Sequence, residues 1–283
     1  MPKIKRILFP VDFSAAACGA AKYVAATAGR FQAAVTMLHV VGMGEHSLAE
    51  ELLPLRRAEL NTFAADELRH LDVHRLCITG DDPAAAITAE AARWAADLVM
   101  MPTHGLGIFR RFLLGSVTGK ILHDLDCPIW TTVHSEQVPK LEEIHCRKIL
   151  CALDLDNRTD QILAWASWLA DQLQASLGIA HATTDPRALF PLSLQEEFAK
   201  DLNEQAERKI QELLARLGMQ SAVSARDIRV RSGDPAEVLT SAAAEFEADL
   251  IVIGRHNRSG LRGRLQQNAY TILCSSPCPV ISI

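Results

Sequence analysis

Aromatic residues are scarce in this chain, 5% of its 283 positions, although 49% of positions are apolar. Its core must therefore be built from Ala, Leu, Val and Ile rather than from stacked rings, which suits Ala-rich helices packed on β-branched strands. No apolar run is long enough to span a bilayer, so no membrane span is expected. Positive charge is not in excess either. The 29 Lys and Arg stand against 34 Asp and Glu, a net charge of −5, which argues against general attraction to nucleic acid or anionic lipid. The seven cysteines are odd in number and lie mostly in apolar contexts. That pattern argues against a disulfide framework, and a reducing cytoplasm is expected. The opening MPKIKRILFPVDFS has a basic flank, but its apolar stretch is short and Asp12 interrupts it. It reads as a buried first strand, not as a signal peptide.

What the chain does have is a repeat. KRILFPVD (5–12) matches RKILCALD (147–154), and His39 in TMLHV matches His181 in GIAHA. AADLVMMPTHG (95–105) matches EADLIVIGRHN (247–257), and the segments at Cys127 and Cys278 correspond, as do GDDP (80–83) and GDP (233–235); Cys151 and Cys278 are expected in strands, packed in the core. The spacing between partners widens by about ten residues in the middle of the second copy. The polar segment 135–145 lies between the copies and reads as a linker. Two domains are expected, 1–140 and 141–283, each long enough to bury its own core.

Within each copy, short β-branched runs without polar alternation are separated by helical patterns. In the first copy the strands are expected near 5–11, 34–40, 73–79, 97–102 and 128–133. Such strands are buried on both faces, as in a parallel sheet. An Ala-rich helix is expected over 15–29, with Ser14 as N-cap and Gly29 as its stop. In the second copy Ser193 and Glu196 have capping-box spacing, ahead of a helix with Phe198, Leu202, Ala206, Ile210 and Leu213 on one face and Gly218 at its end. Alternating strands and helices with right-handed crossovers give an α/β fold, two repeated doubly wound domains with open parallel sheets.

Ligands of such sheets bind beyond the carboxyl ends of the strands, where the strand order reverses. Two first-copy segments fall there. One is Pro10-Val11-Asp12-Phe13-Ser14 at the end of strand one. The other follows strand four and carries Gly105, Gly107, the pair Arg110-Arg111, and Gly115-Ser116 at the start of a helix. A Gly-Ser pair there offers unpaired backbone N–H groups, a hydroxyl and the positive end of the helix dipole, a fit for phosphate.

These residues resemble the signatures of the universal stress proteins, which carry PxDxS at the end of strand one and G-x-x-G-x9-G-[ST] after strand four. The resemblance covers almost the whole chain, twice. It implies five strands per domain in the order 3-2-1-4-5. In ATP-binding members the first-strand Asp and the residue after the second-strand His meet adenine, which here are Asp12 and Val40. The glycines and hydroxyl that hold ribose and phosphates correspond to Gly105, Gly115 and Ser116. His104 lies in the same loop, where a ligand contact and a loop-stabilising role are equally open. Pro102 replaces the first motif glycine and has no N–H to donate.

The second copy departs further. Asp154 and Gly254 remain, but Asn257 replaces the second glycine and Gln266-Gln267 stand where Gly115-Ser116 would. Its Arg255, Arg258, Arg262 and Arg264 make the loop locally basic, which reads first as a solvated loop and second as an altered anion site. The resemblance therefore implies a cytoplasmic stress-response module holding ATP or another adenine nucleotide, with or without Mg²⁺, in its first domain. The alternative is an interaction scaffold of the same family that binds no nucleotide. No nucleophile–base pair and no zinc spacing stand out, so an enzyme is not expected beyond slow ATP hydrolysis. The last strands of the two copies are expected to pair within the chain. A homodimer and an unidentified protein partner stay open.

Overall fold

The computed structural model describes residues 2–42, 46–103, 114–132, 139–188, 191–255 and 264–283. The chain divides into two compact units, Met1–His145 and Cys146–Ile283. In the first, β1 (Arg6–Pro10), α1 (Ala15–Phe31), β2 (Ala34–Val41), α2 (His46–Thr62), β3 (Val73–Thr79), α3 (Pro83–Arg93), β4 (Leu98–Pro102), α4 (Ser116–Asp124) and β5 (Ile129–Thr132) follow in order. The strands pair in parallel as β3-β2-β1-β4-β5. In the second, β6 (Lys148–Ala152), α5 (Thr159–Leu173), β7 (Ser176–Thr183), α6 (Leu192–Arg216), β8 (Ile228–Ser232), α7 (Pro235–Phe246), β9 (Leu250–Ile253), α8 (Arg264–Ser275) and β10 (Val280–Ser282) repeat the pattern. Their order, β8-β7-β6-β9-β10, is the same one.

The central strands are apolar on both sides because both faces are covered. All five residues of β4 and all four of β9 are buried. In the first unit, Leu8, Leu38, Val99 and Ile129 of four strands meet Ala84, Ile87 and Ala91 of α3 and Ile121 of α4. The opposite face is covered by α1 and α2. Close approach in the second unit depends on Gly178 of β7, where a Cβ would stand 3.0 Å from the Phe246 ring of α7.

The repeat extends to individual hydrogen bonds. Asp97 Oδ2 accepts from the backbone N–H of Lys5 and Arg6 at 2.9 and 3.0 Å, and Asp249 Oδ2 accepts from Arg147 and Lys148 at 2.7 and 2.9 Å. Each carboxylate satisfies donors at the start of a central strand that the sheet leaves unpaired. The inserted length of the second copy goes chiefly into α6, with 25 residues against 17 in α2.

Three local expectations are corrected. Gly29 does not stop α1; the helix runs on to Phe31 and ends on Gln32, which takes the left-handed conformation at φ 49° and donates to Ala28 O. Ala helix propensity carries through one exposed glycine, and the turn into β2 sets the end. Ser193 does not cap α6, which opens at Leu192 after Pro191 without a side-chain cap. A proline immediately before the helix supplies the entry conformation instead. Cys278, expected in a strand, lies just before β10, although it is buried. Gly218 does terminate α6, at φ 68°. Of the expected linker, residues 135–138 lie outside the described residues, and Leu141–Glu143 form one 3-10 turn against α1.

Candidate functional site

The first crevice opens where β1 and β4 part, since α1 leaves β1 toward one face while the chain after β4 crosses to the other. On the β1 side the backbone turns sharply. Val11 N donates to Leu38 O at 2.8 Å, continuing the ladder one residue past the strand. Asp12 follows, then Phe13 at φ 61°. That conformation costs a non-glycine residue about 1–2 kcal/mol, so neighbouring contacts must hold it. Ser14 then caps α1, its hydroxyl accepting from Ala17 N at 3.1 Å.

Asp12 is half-buried, and one carboxylate oxygen is committed to this turn. Oδ1 accepts from Ser14 N at 3.0 Å and from Ser14 Oγ at 2.6 Å. No hydrogen bond within the described residues engages Oδ2. Val40, near the end of β2, is half-buried beside Gly80, where a Cβ would stand 3.3 Å from Val40 Cγ1.

Beneath Asp12 sits His39. Its Nδ1 lies 2.7 Å from Val11 O and must donate, because a carbonyl only accepts. Its ring packs on Phe13 at 4.4 Å between centroids, and Phe13 also meets Phe63 edge-on at 5.6 Å and the Arg56 guanidinium at 5.6 Å. Burial pushes the His39 imidazole below its ordinary value. Arg56 acts in the same direction, while the Val11 bond, Glu59 and Asp12 oppose it.

On the β4 side, Pro102 ends the strand, buried and in register with Thr132. Its carbonyl accepts from Thr118 Oγ1 at 3.3 Å. Gly115 N donates to Thr103 O at 2.8 Å, which brings the start of α4 back to the end of β4. Gly115 is the N-cap, without a side-chain cap, at φ −59°. Any residue adopts that φ, so conformational freedom is not what calls for glycine here. Ser116 opens α4 and is exposed. Lys120 of α4 pairs with Asp82, the N-cap of α3, and this pairing holds the exposed Asp82 carboxyl below its usual range. Asp12, Val40, Pro102, Gly115 and Ser116 thus all stand at the carboxyl ends of strands or the helix start that follows. His104 and Gly105 lie outside the described residues, as do Gly107, Arg110 and Arg111.

The second crevice has the same frame and a different filling. His181 Nδ1 lies 2.6 Å from Leu153 O, and Leu155 repeats the positive φ at 54°. Leu155 replaces Phe13, however, and Asp154 is exposed. The turn is longer: Asp156 Oδ1 accepts from Arg158 N at 2.9 Å, and Arg158 is the N-cap of α5. The Arg158 guanidinium reaches across the end of the sheet, donating to Arg255 O beyond β9 and to Ile283 O beyond β10, the latter at 3.4 Å. No sequence pattern marked this residue, because nothing local to position 158 shows which carbonyls it meets. Gly254, retained from the motif, has a packing reason of its own, since a Cβ there would lie 2.4 Å from Ile162 Cδ1 of α5. Asn257, Arg258 and Arg262 lie outside the described residues, as do the side chains of Arg264, Gln266 and Gln267. Among the described residues no three His, Cys, Asp or Glu side chains converge as a metal group would require, and no helix is long and apolar enough to cross a membrane.

Comparison with known proteins matches this architecture in both halves. The model of the universal stress protein family fits residues 3–132 and again 145–283. Universal stress protein A homolog 1 of Coxiella burnetii is 26% identical over 144 residues, 50% of this chain and 97% of that protein. A universal stress protein of Methanocaldococcus jannaschii is 30% identical over 136 residues, 44% of this chain and 79% of its own length. The crystal structure of a universal stress protein from Archaeoglobus fulgidus superposes with a TM-score of 0.72 at 18% identity, covering 99% of this chain and 96% of that one.

Proposed function

From the premise that this chain belongs to the universal stress protein family, we propose that its first unit binds ATP or a related adenine nucleotide and that the second unit serves as a structural partner. The observation that carries this reading is the meeting of two unlike groups across one crevice. Asp12 presents a carboxylate oxygen at the end of β1, and the uncapped start of α4 is tied to the end of β4 through Gly115 and Thr103. A carboxylate oxygen accepts from the exocyclic amine that adenine carries at its six position, where guanine carries a carbonyl that can only accept. Helix N–H groups and the Ser116 hydroxyl receive phosphate. Val40 supplies the apolar wall, and Pro102 forms the floor without contributing an N–H. Mg²⁺, when it accompanies the nucleotide, would be carried by phosphate oxygens and water. Nucleotide occupancy would act through conformation or partners in the cytoplasm, with ATP hydrolysis slow at most.

Pro102 favours the second reading, an interaction scaffold without nucleotide, because it removes one donor from the floor of the site. One experiment separates the two. Purified full-length protein is denatured, the released small molecules are identified by mass spectrometry, and the protein refolded without nucleotide is titrated with ATP by calorimetry. We expect about one adenine nucleotide per chain, with Asp12→Asn weakening it and Asp154→Asn leaving it unchanged. An empty protein that takes up no ATP would favour the scaffold.

A further inference from the structure

We infer that His39 is the positioning residue of the first site: one imidazole holds both neighbours of Asp12, the Val11 carbonyl and the Phe13 ring, and so sets where the Asp12 carboxylate points. This rests on the reading that Asp12 meets the base. The evidence is a double contact. Through Nδ1, His39 binds the carbonyl of Val11, the residue before Asp12, at 2.7 Å. Through its ring, at 4.4 Å, it packs on Phe13, the residue after Asp12. Asp12 is thus flanked by two residues fixed to the same side chain, one by a hydrogen bond and one by ring packing. Phe13 needs that support because its φ of 61° is disfavoured for a side chain of its size. Phe63 and Arg56 close round the other sides of the Phe13 ring. Ser14 fixes Oδ1 from the helix side, so the remaining freedom of the carboxylate lies in the backbone that His39 holds.

The second unit supplies an internal control. His181 makes the same bond to Leu153 O at 2.6 Å, but Leu155 replaces the aromatic ring. The hydrogen bond alone is therefore a property of the fold, present in both copies. The clamp on both flanks belongs to the first copy.

The test uses the full-length chain with ATP and GTP as probes. His39→Phe keeps a ring against Phe13 and removes the donor to Val11 O; His39→Asn restores a donor at the δ position. The expected result is about a tenfold loss of ATP affinity in His39→Phe, with the ATP/GTP preference falling toward one, and partial recovery of both in His39→Asn. His181→Phe should change neither value. In the unmutated protein, imidazole ¹⁵N resonances should show both histidines protonated at Nδ1, with saturating ATP shifting His39 and not His181. This measurement stands even where His39→Phe fails to fold. Unaltered ATP affinity and preference in folded His39→Phe, or a His39 resonance unmoved by ATP, would overturn the inference while leaving the nucleotide reading intact if Asp12→Asn is weakened. Full ATP affinity in Asp12→Asn would overturn the base-reading role itself, and this inference with it.

Discussion

Gly115 N donates to Thr103 O at 2.8 Å, closing the loop after β4 onto the end of its own strand. The corresponding carbonyl of the second unit belongs to Arg255, and it accepts from the Arg158 guanidinium. The same point of the same fold is thus met by a backbone donor in one copy and by a long cationic side chain in the other. The Arg158 guanidinium spans from the start of α5 to the residues after β9 and β10.

Arg158→Ala should therefore act on stability rather than on ligand. The carbonyls of Arg255 and Ile283 would lose a charged donor, a loss of about 1.5–3 kcal/mol where the bonds are shielded from water. Denaturant unfolding of the full chain should show the second unit weakened and ATP binding by the first unchanged. An unfolding midpoint equal to that of the parent would mean that these bonds contribute nothing net.

Ser116→Ala should do the reverse. Ser116 is exposed at the start of α4, so folding should barely change. Loss of one hydroxyl donor to a charged phosphate should weaken ATP binding by about 1–2 kcal/mol. Calorimetric titration checks this, and equal affinities would remove Ser116 from the site.

Gly178→Ala should destabilise the second unit through packing alone. The added Cβ would stand 3.0 Å from two atoms of the Phe246 ring, a ring also held by Arg229 at 4.9 Å. Relief by a small shift of α7 costs about 1–3 kcal/mol, as for other overpacked cores. Thermal unfolding should place the variant below the parent, with ATP affinity kept.

His39 should make stability fall on acidification. Its folded pKa is lowered, chiefly by burial and further by Arg56, so the unfolded chain binds more protons below the ordinary histidine value of about 6.5. Stability is then greatest above that pH and is lost as pH falls toward the folded value. Glu59 and Asp12 moderate the effect by favouring the charged ring. The pH dependence of unfolding between 5 and 7, compared with His39→Asn, should be shallower in the variant. A parallel pair of curves would show that His39 does not contribute.

The fold was legible because its signals are local and repeated. Strand runs such as RILFP and LVMMP are apolar without alternation, which only a sheet covered on both faces explains. Two copies of the same order reinforced each assignment. Helix ends were less legible. Gln32 and Pro191 set boundaries through left-handed and extended backbone that Gly29 and Ser193 had seemed better suited to supply. The candidate site was legible as far as its residue types allow: an acid after β1, and a glycine and a serine at the start of α4.

By itself, the sequence determined that there are two copies of one α/β pattern, and which motif residues of the first copy the second has lost. Periodicity, cap residues and motif spacing act over a few positions, and that range suffices for such conclusions. Only the tertiary structure decided what each group does with its neighbours. Position 158 meets carbonyls 97 and 125 residues away, and His39 meets Val11 and Phe13 across 28 and 26 positions. A parallel sheet brings the carboxyl ends of distant strands side by side, and contacts made there depend on register and crossover rather than on any local run of residues.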